Sequence, residues 1–472
     1  MRTRSTRFIA AVAILSVVPL AARSQTDPSL KLSTTNSAAA AEFRAGMSDL
    51  QNLSFEASAA HFRAAVDADP NFGLARVLYG GGGLLDPNQL KTELNRGVAD
   101  AARATNNELV LAAAYREAAL GHTDAANALF RAASQLMPGD EMLAWQATGG
   151  FGAPLPATRE FVMRHPNFPI GQNTLAYAAW ASGDRAAALA AAKRQVELIP
   201  SAPNAHDTYA EILQWNGNFT DAAAHYKAAT TLSPKFPEVY AGLAEVAALQ
   251  GQYDQARTYL NQAIANAWTP QQKLGYMRQI VGTYVLQGAP ADAITKALEA
   301  AIAEAKTQGD GISTAILYSQ LATVQANAGN ANAAHQSIAT AKAASAVPWQ
   351  VHYFPGVAHG IMKHWAPAGQ ELAALKAQAA EPGTVPPDRV PALEGYLLTQ
   401  RGKPADALAI LMKGDTTSVL IMNRVAEAHA ALGHPAVAAA WNNRVNTNYA
   451  LNLQDFTNVN SRRRAKLETA NR

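Results

Sequence analysis

Along most of this chain apolar residues recur every three or four positions, the spacing that gathers them on one face of an α-helix. Phe219, Ala222, Tyr226 and Ala229 form one such stripe, and Tyr253, Ala256, Leu260 and Ala263 form another. Alternation of apolar and polar residues, the mark of a half-buried strand, is almost absent. Alanine-rich runs such as residues 185–193 favour helix, because alanine loses no side-chain entropy there and lets neighbouring helices approach closely. Glycine and proline fall mostly between the helical runs, as punctuation. The pattern predicts an all-α chain built from many short helices.

The stripes also repeat at a fixed distance. Tyr209-Ala210, Gly217, Phe219, Ala222, Tyr226 and Ala229 are echoed 34 residues later by Leu243-Ala244, Gly251, Tyr253, Ala256, Leu260 and Ala263. Each position has a physical reason. The small residue of the first pair admits close packing of one helix on the next. Gly217 and Gly251 end a helix, since glycine takes the left-handed conformation there without steric cost. An aromatic residue opens the following helix, and the alanine three positions on marks the closest approach. Pro234 stops the second helix.

In these residues the chain resembles the tetratricopeptide repeat (TPR) family, whose unit is a 34-residue helix–turn–helix. The register extends upstream through Gly183 and Ala188, Gly121 and Ala126, and Phe55, Phe62 and Ala65. Downstream it passes through Gly288 and Ala293, Gly329 and Ala334, Gly402 and Ala407, and Gly433 and Ala438. A poorly matching pair is expected around Gly80–Gly83. The resemblance implies a right-handed α-solenoid of about 12 hairpins. Each hairpin would touch only its neighbours, so the 472 residues need no single large core.

The N-terminus reads as a targeting segment. Arg2, Arg4 and Arg7 precede an apolar stretch from Phe8 to Leu20, too short to span a membrane comfortably, and Ala22-Arg23-Ser24 suits cleavage after Ser24. The expected organisation is a signal peptide over 1–24 and a flexible lead over 25–40. Degenerate hairpins follow over 41–166, the best-matching units over 167–268 and further degenerate hairpins over 269–450. A solvated capping helix is expected over 451–472. The chain has no cysteine, which excludes a lipid-modified N-terminus, disulfides and thiolate chemistry. The implied location is periplasmic or secreted, with no stable membrane span after cleavage. Removing residues 1–24, which hold four arginines and no acid, lowers the formal charge from +3 to −1. A near-neutral mature chain gives no electrostatic case for nucleic acid.

Signals for chemistry are sparse. Tyr79 and the glycines after it lack the Gly-Lys-Ser/Thr ending of a phosphate loop, and no metalloprotease or nucleophile-elbow motif occurs. His352, His359 and His364 read as packed or surface histidines, because a five-residue step separates the last two in angle and Pro355-Gly356 cuts off the first. No metal, cofactor or catalytic residue is expected.

What remains is the concave wall that the first helix of each repeat builds in TPR proteins. Carried over from the register, its residues are Asn173, Tyr177 and Trp180, then Asn204, Asp207, Glu211 and Gln214, then Glu238 and Glu245. Chaperone-binding members of the family place Lys and Asn there to clamp a terminal carboxylate; Asp207 and Glu211 stand in those places here. The implied function is a non-catalytic scaffold that binds a protein or peptide, cationic in character, in its groove. Alternatives are a structural subunit of an envelope assembly and, with least support, an enzyme framed on a solenoid.

Overall fold

The computed structural model describes residues 30–82, 85, 87–343 and 348–470. The expected signal peptide lies outside them. The chain divides into two compact units, Met1–Ser182 and Gly183–Arg472. Among the described residues there are 25 α-helices and no strands, which is about 12 pairs in chain order and one helix over.

The first unit holds α1 (Ser37–Gln51), α2 (Phe55–Ala68), α3 (Gly73–Gly81), α4 (Pro87–Ala101), α5 (Asn106–Ala119), α6 (Thr123–Leu136), α7 (Glu141–Ala147), α8 (Leu155–Arg164) and α9 (Pro169–Ala181). Its core combines aliphatic and aromatic side chains: the Phe43 ring is tilted against those of Phe62 and Phe72, with centroids 5.7 Å and 5.0 Å away, and Phe130 and Phe161 are fully buried. Phe55, the aromatic residue that opens α2, is 40% exposed. The poorly matching pair is α3 and α4, and these cross where a Cβ on Gly73 would lie 2.4 Å from the Gly97 carbonyl oxygen.

Part of the expected flexible lead is held in place. Ser33 donates through its backbone N–H and its hydroxyl to the buried carboxylate of Glu108. Thr34 bonds to Asp69, and Asn36 caps α1, so helix starts at Ser37. A buried acceptor needs donors, and this segment supplies them.

The second unit begins with α10 (Arg185–Leu198). The hairpins α11 (Pro203–Trp215) with α12 (Phe219–Leu232), α13 (Pro237–Leu249) with α14 (Tyr253–Ala265) and α15 (Pro270–Gln287) with α16 (Ala291–Thr307) follow. Then come α17 (Gly311–Asn327) with α18 (Ala331–Lys342), α19 (Gln350–Ile361) with α20 (Trp365–Ala379), α21 (Arg389–Gln400) with α22 (Pro404–Leu411), α23 (Val419–Ala431) with α24 (Pro435–Asn446), and last α25 (Phe456–Ala470). Gly217 and Gly251 take φ of +83° and +79°, the left-handed turn the register requires. Leu53 and Lys363 fill the equivalent turns of α1–α2 and α19–α20 at φ near +60°.

Ala222 and Ala256 are fully buried where α12 and α14 meet their partners. Ala222→Leu or Ala256→Leu should each cost about 1–3 kcal/mol by overpacking. Unchanged denaturant midpoints in both variants would show that the helices approach each other elsewhere.

The last helix departs from expectation. Rather than forming a solvated cap, α25 and the irregular residues before it lie against the first helices of the hairpins. Tyr449 meets the Phe219 ring edge-on at 5.1 Å. Leu451, Leu453, Phe456 and Val459 are buried in the unit's core, with Phe456 edge-on to Phe354 of α19 at 5.6 Å. Asp455 pairs with Arg389 of α21 at 3.0 Å, and Arg464 pairs with Glu427 of α23. Arg462, expected in solvent, is 3% exposed. It donates to the carbonyls of Val445, Asn448 and Ala450 and thereby pins the turn between α24 and α25. Burying four apolar side chains outweighs the desolvation of a guanidinium that finds this many acceptors.

Candidate functional site

The first helices of successive hairpins in the second unit begin alike. Pro203, Pro237 and Pro270 open α11, α13 and α15 at a position where the missing N–H costs nothing. That common start brings equivalent turns of the helices side by side. Asp207 and Glu211 of α11 meet Glu238 and Glu245 of α13 around an open cavity of about 450 Å³. Tyr226 of α12, Gln272, Tyr276 and Gln279 of α15, and Gln454 from the C-terminal segment complete its lining.

Neutral groups hold the acidic wall in shape. Gln272 donates to Glu238 at 2.6 Å, across 34 residues of sequence. The fully buried Gln214 donates to Glu245 at 3.1 Å and accepts from the Tyr226 hydroxyl at 3.2 Å. Tyr226 reaches under α13 because residue 242 is glycine; a Cβ there would lie 2.3 Å from the ring. The Leu453 backbone N–H also donates to Glu245.

Four carboxylates in one concavity repel each other's charge. Burial, with Glu211, Glu238 and Glu245 adding to it, raises the Asp207 carboxyl well above its ordinary value. Burial pushes Glu245 up to about 8, against the hydrogen bonds it accepts and the nearby Arg462. Burial beside Glu238 and Asp207 also raises the Tyr276 hydroxyl.

Of the residues expected along the groove, Asp207, Glu211, Glu238 and Glu245 line this cavity together. Gln214 supports it from beneath. Asn204 instead accepts from Thr208 and Gln195, at the contact of α11 with α10. Asn173, Tyr177 and Trp180 stand on α9 in the first unit. Asn173 is buried and Trp180 is half-buried. Gln272, Tyr276 and Gln454 were missed. The 34-residue step from Glu238 points to Gln272, but no sequence signal pointed to Gln454.

A second cluster joins residues far apart in sequence. His335 of α18, His359 of α19 and His364, which caps α20, bring one ring nitrogen each within 4.8 Å of the others. The expectation that Pro355 interrupts the helix is corrected, because α19 runs through it from Gln350 to Ile361. As the sixth residue of α19 it forgoes the bond its N–H would have made to the Val351 carbonyl, and the helix continues past it.

Residues 216–271 match the family model for the tetratricopeptide repeat. That match places the central hairpins in the tetratricopeptide-repeat family. No curated protein matches the chain. Among solved structures, a thermophilic TPR protein of Thermus thermophilus is 23% identical; the alignment covers 36% of this chain and 96% of that one, with a TM-score of 0.32. A tetratricopeptide repeat protein from Parabacteroides merdae is 13% identical over 62% of this chain and 98% of its own, with a TM-score of 0.36. A structure of MamA protein is 16% identical over 34% of this chain and 91% of its own, with a TM-score of 0.28. No described helix is long and apolar enough to cross a membrane.

Proposed function

We propose that this chain is a non-catalytic interaction scaffold, exported to the periplasm or beyond, whose second unit takes a basic side chain of a partner peptide into the acidic cavity. Four carboxylates around one open cavity carry this reading. Irregular chain already borders the cavity, since Gln454 of the non-helical stretch 448–455 is part of its lining. Lysine or arginine entering the cavity would gain charge-assisted hydrogen bonds and relieve the repulsion among the acids.

A lysine-containing peptide should bind the purified chain with an affinity that falls as salt rises. The double change Asp207→Lys with Glu211→Lys should abolish binding and leave helicity intact. The pH dependence has a definite sign. Glu245 is largely protonated below about 8 in the free protein, and a bound cation lowers its pKa. Binding then releases a proton, so affinity should rise from pH 6 to 8 by up to about tenfold per pH unit. Equal affinity of the double variant, or affinity that falls over that range, would remove the cavity from consideration.

A further inference from the structure

We propose that His335, His359 and His364 form a binding site for a divalent transition metal of the zinc class, clipping α18 to the α19–α20 hairpin. Three ring nitrogens from three different segments converge within 4.8 Å. His335 Nε2 and His364 Nδ1 already stand 3.3 Å apart. Metal–nitrogen bonds of about 2.0–2.1 Å in tetrahedral geometry put ligand nitrogens about 3.4 Å from each other, so this pair sits at ligand spacing without adjustment. The third ligand has to close by little more than one ångström, within reach of a side-chain rotation.

An independent observation comes from His359. It is 7% exposed, and its Nδ1 is buried with no hydrogen-bond partner. A buried ring nitrogen without a partner forfeits its solvation, and a metal or a proton donor is what it lacks. His335 is exposed, so the fourth coordination position opens to water. The donor set is three imidazoles with no thiolate, which suits zinc, copper or nickel and gives calcium or magnesium no purchase.

Metal binding is read on the whole mature chain, stripped with a chelator and then titrated with Zn²⁺ or Co²⁺. Wild type should take up one tight equivalent, Co²⁺ should give the intense visible bands of a tetrahedral site, and the melting temperature should rise with metal. His335→Ala removes an exposed side chain and so tests the site without threatening the fold. It should weaken that equivalent by more than the roughly 10–100-fold typical of an outer-shell change. His364→Ala should do the same. His225→Ala is the control; it breaks the His206–His225 pair, whose Nδ1 atoms lie 2.9 Å apart, and should leave the tight equivalent in place. Absence of a tight equivalent in wild type would overturn the proposal. So would unchanged affinity in a folded His335→Ala protein, or loss of the site in the control.

Discussion

Gly282→Ala should release the C-terminal segment from the groove. In an exposed helix this change normally stabilises by about 1 kcal/mol, because alanine is the better helix former. Here a Cβ would lie 2.0 Å from the Leu453 carbonyl oxygen and 3.0 Å from its carbonyl carbon. These are backbone atoms, with Leu451 and Phe456 buried on either side, so no flexible side chain can move aside. An overlap costing about 3 kcal/mol multiplies the undocked population by roughly 100. Trypsin should then cleave at Arg462–Arg464 roughly 100 times faster, since cleavage follows the open population when closing is fast. Gly275→Ala provides the contrast. Its Cβ would meet only the Gln454 side-chain amide, at 3.1 Å, which can swing away. Equal protection of the arginines in wild type and Gly282→Ala would mean that the segment docks by other contacts.

Glu427→Ala should be the most damaging single change to charge in the second unit. Glu427 pairs with Arg424 at 2.6 Å and also with Arg464 from α25. All but 12% of its side chain is buried, and Arg424 is more enclosed still, its guanidinium 4.4 Å from the Tyr396 ring centroid. Removing the acid leaves two guanidiniums with no counter-charge, at a cost of about 3–5 kcal/mol. The same group predicts an acid transition. Burial alone would raise its pKa, but Arg424 and Arg464 overcome that and hold it at about 2. A depressed carboxylate contributes stability that is complete above its unfolded value of about 4.5 and is lost as pH falls toward 2, here about 3 kcal/mol. Denaturant midpoints of wild type should fall across that window more steeply than those of Glu427→Ala. Parallel curves would show that the ion pairs carry no net stability.

The central hairpins were legible because their cause is local. A glycine at each turn and an alanine three residues into the next helix act within a single repeat, and Gly217 and Gly251 occupy the turns the register assigned. The acidic wall was legible for a related reason: Glu211 and Glu245 hold the same place in successive repeats, and parallel stacking brings them together. The C-terminal segment was not legible, because its partners lie far away in sequence. Arg462 to Arg464 read as solvated charge, and only the fold supplies the backbone carbonyls and Glu427 that accept them. The histidine cluster was missed for the same reason. His335 and His364 are 29 residues apart, and spacing rules within one helix say nothing about a neighbour across a hairpin.

The docked C-terminal segment has a consequence for the order of events during synthesis. A chain made from its N-terminus completes hairpins α11–α12 through α23–α24 before residues 449–464 exist. Hairpins close quickly, since their contacts are local, whereas the segment must find α15, α19 and α21 across the whole unit and does so late. For that interval the newborn protein presents an unoccupied groove. A partner that is slow to displace the segment from the finished protein could still enter during translation or export, ahead of the segment. Mixing a partner with mature protein and making the two together should then give different amounts of complex.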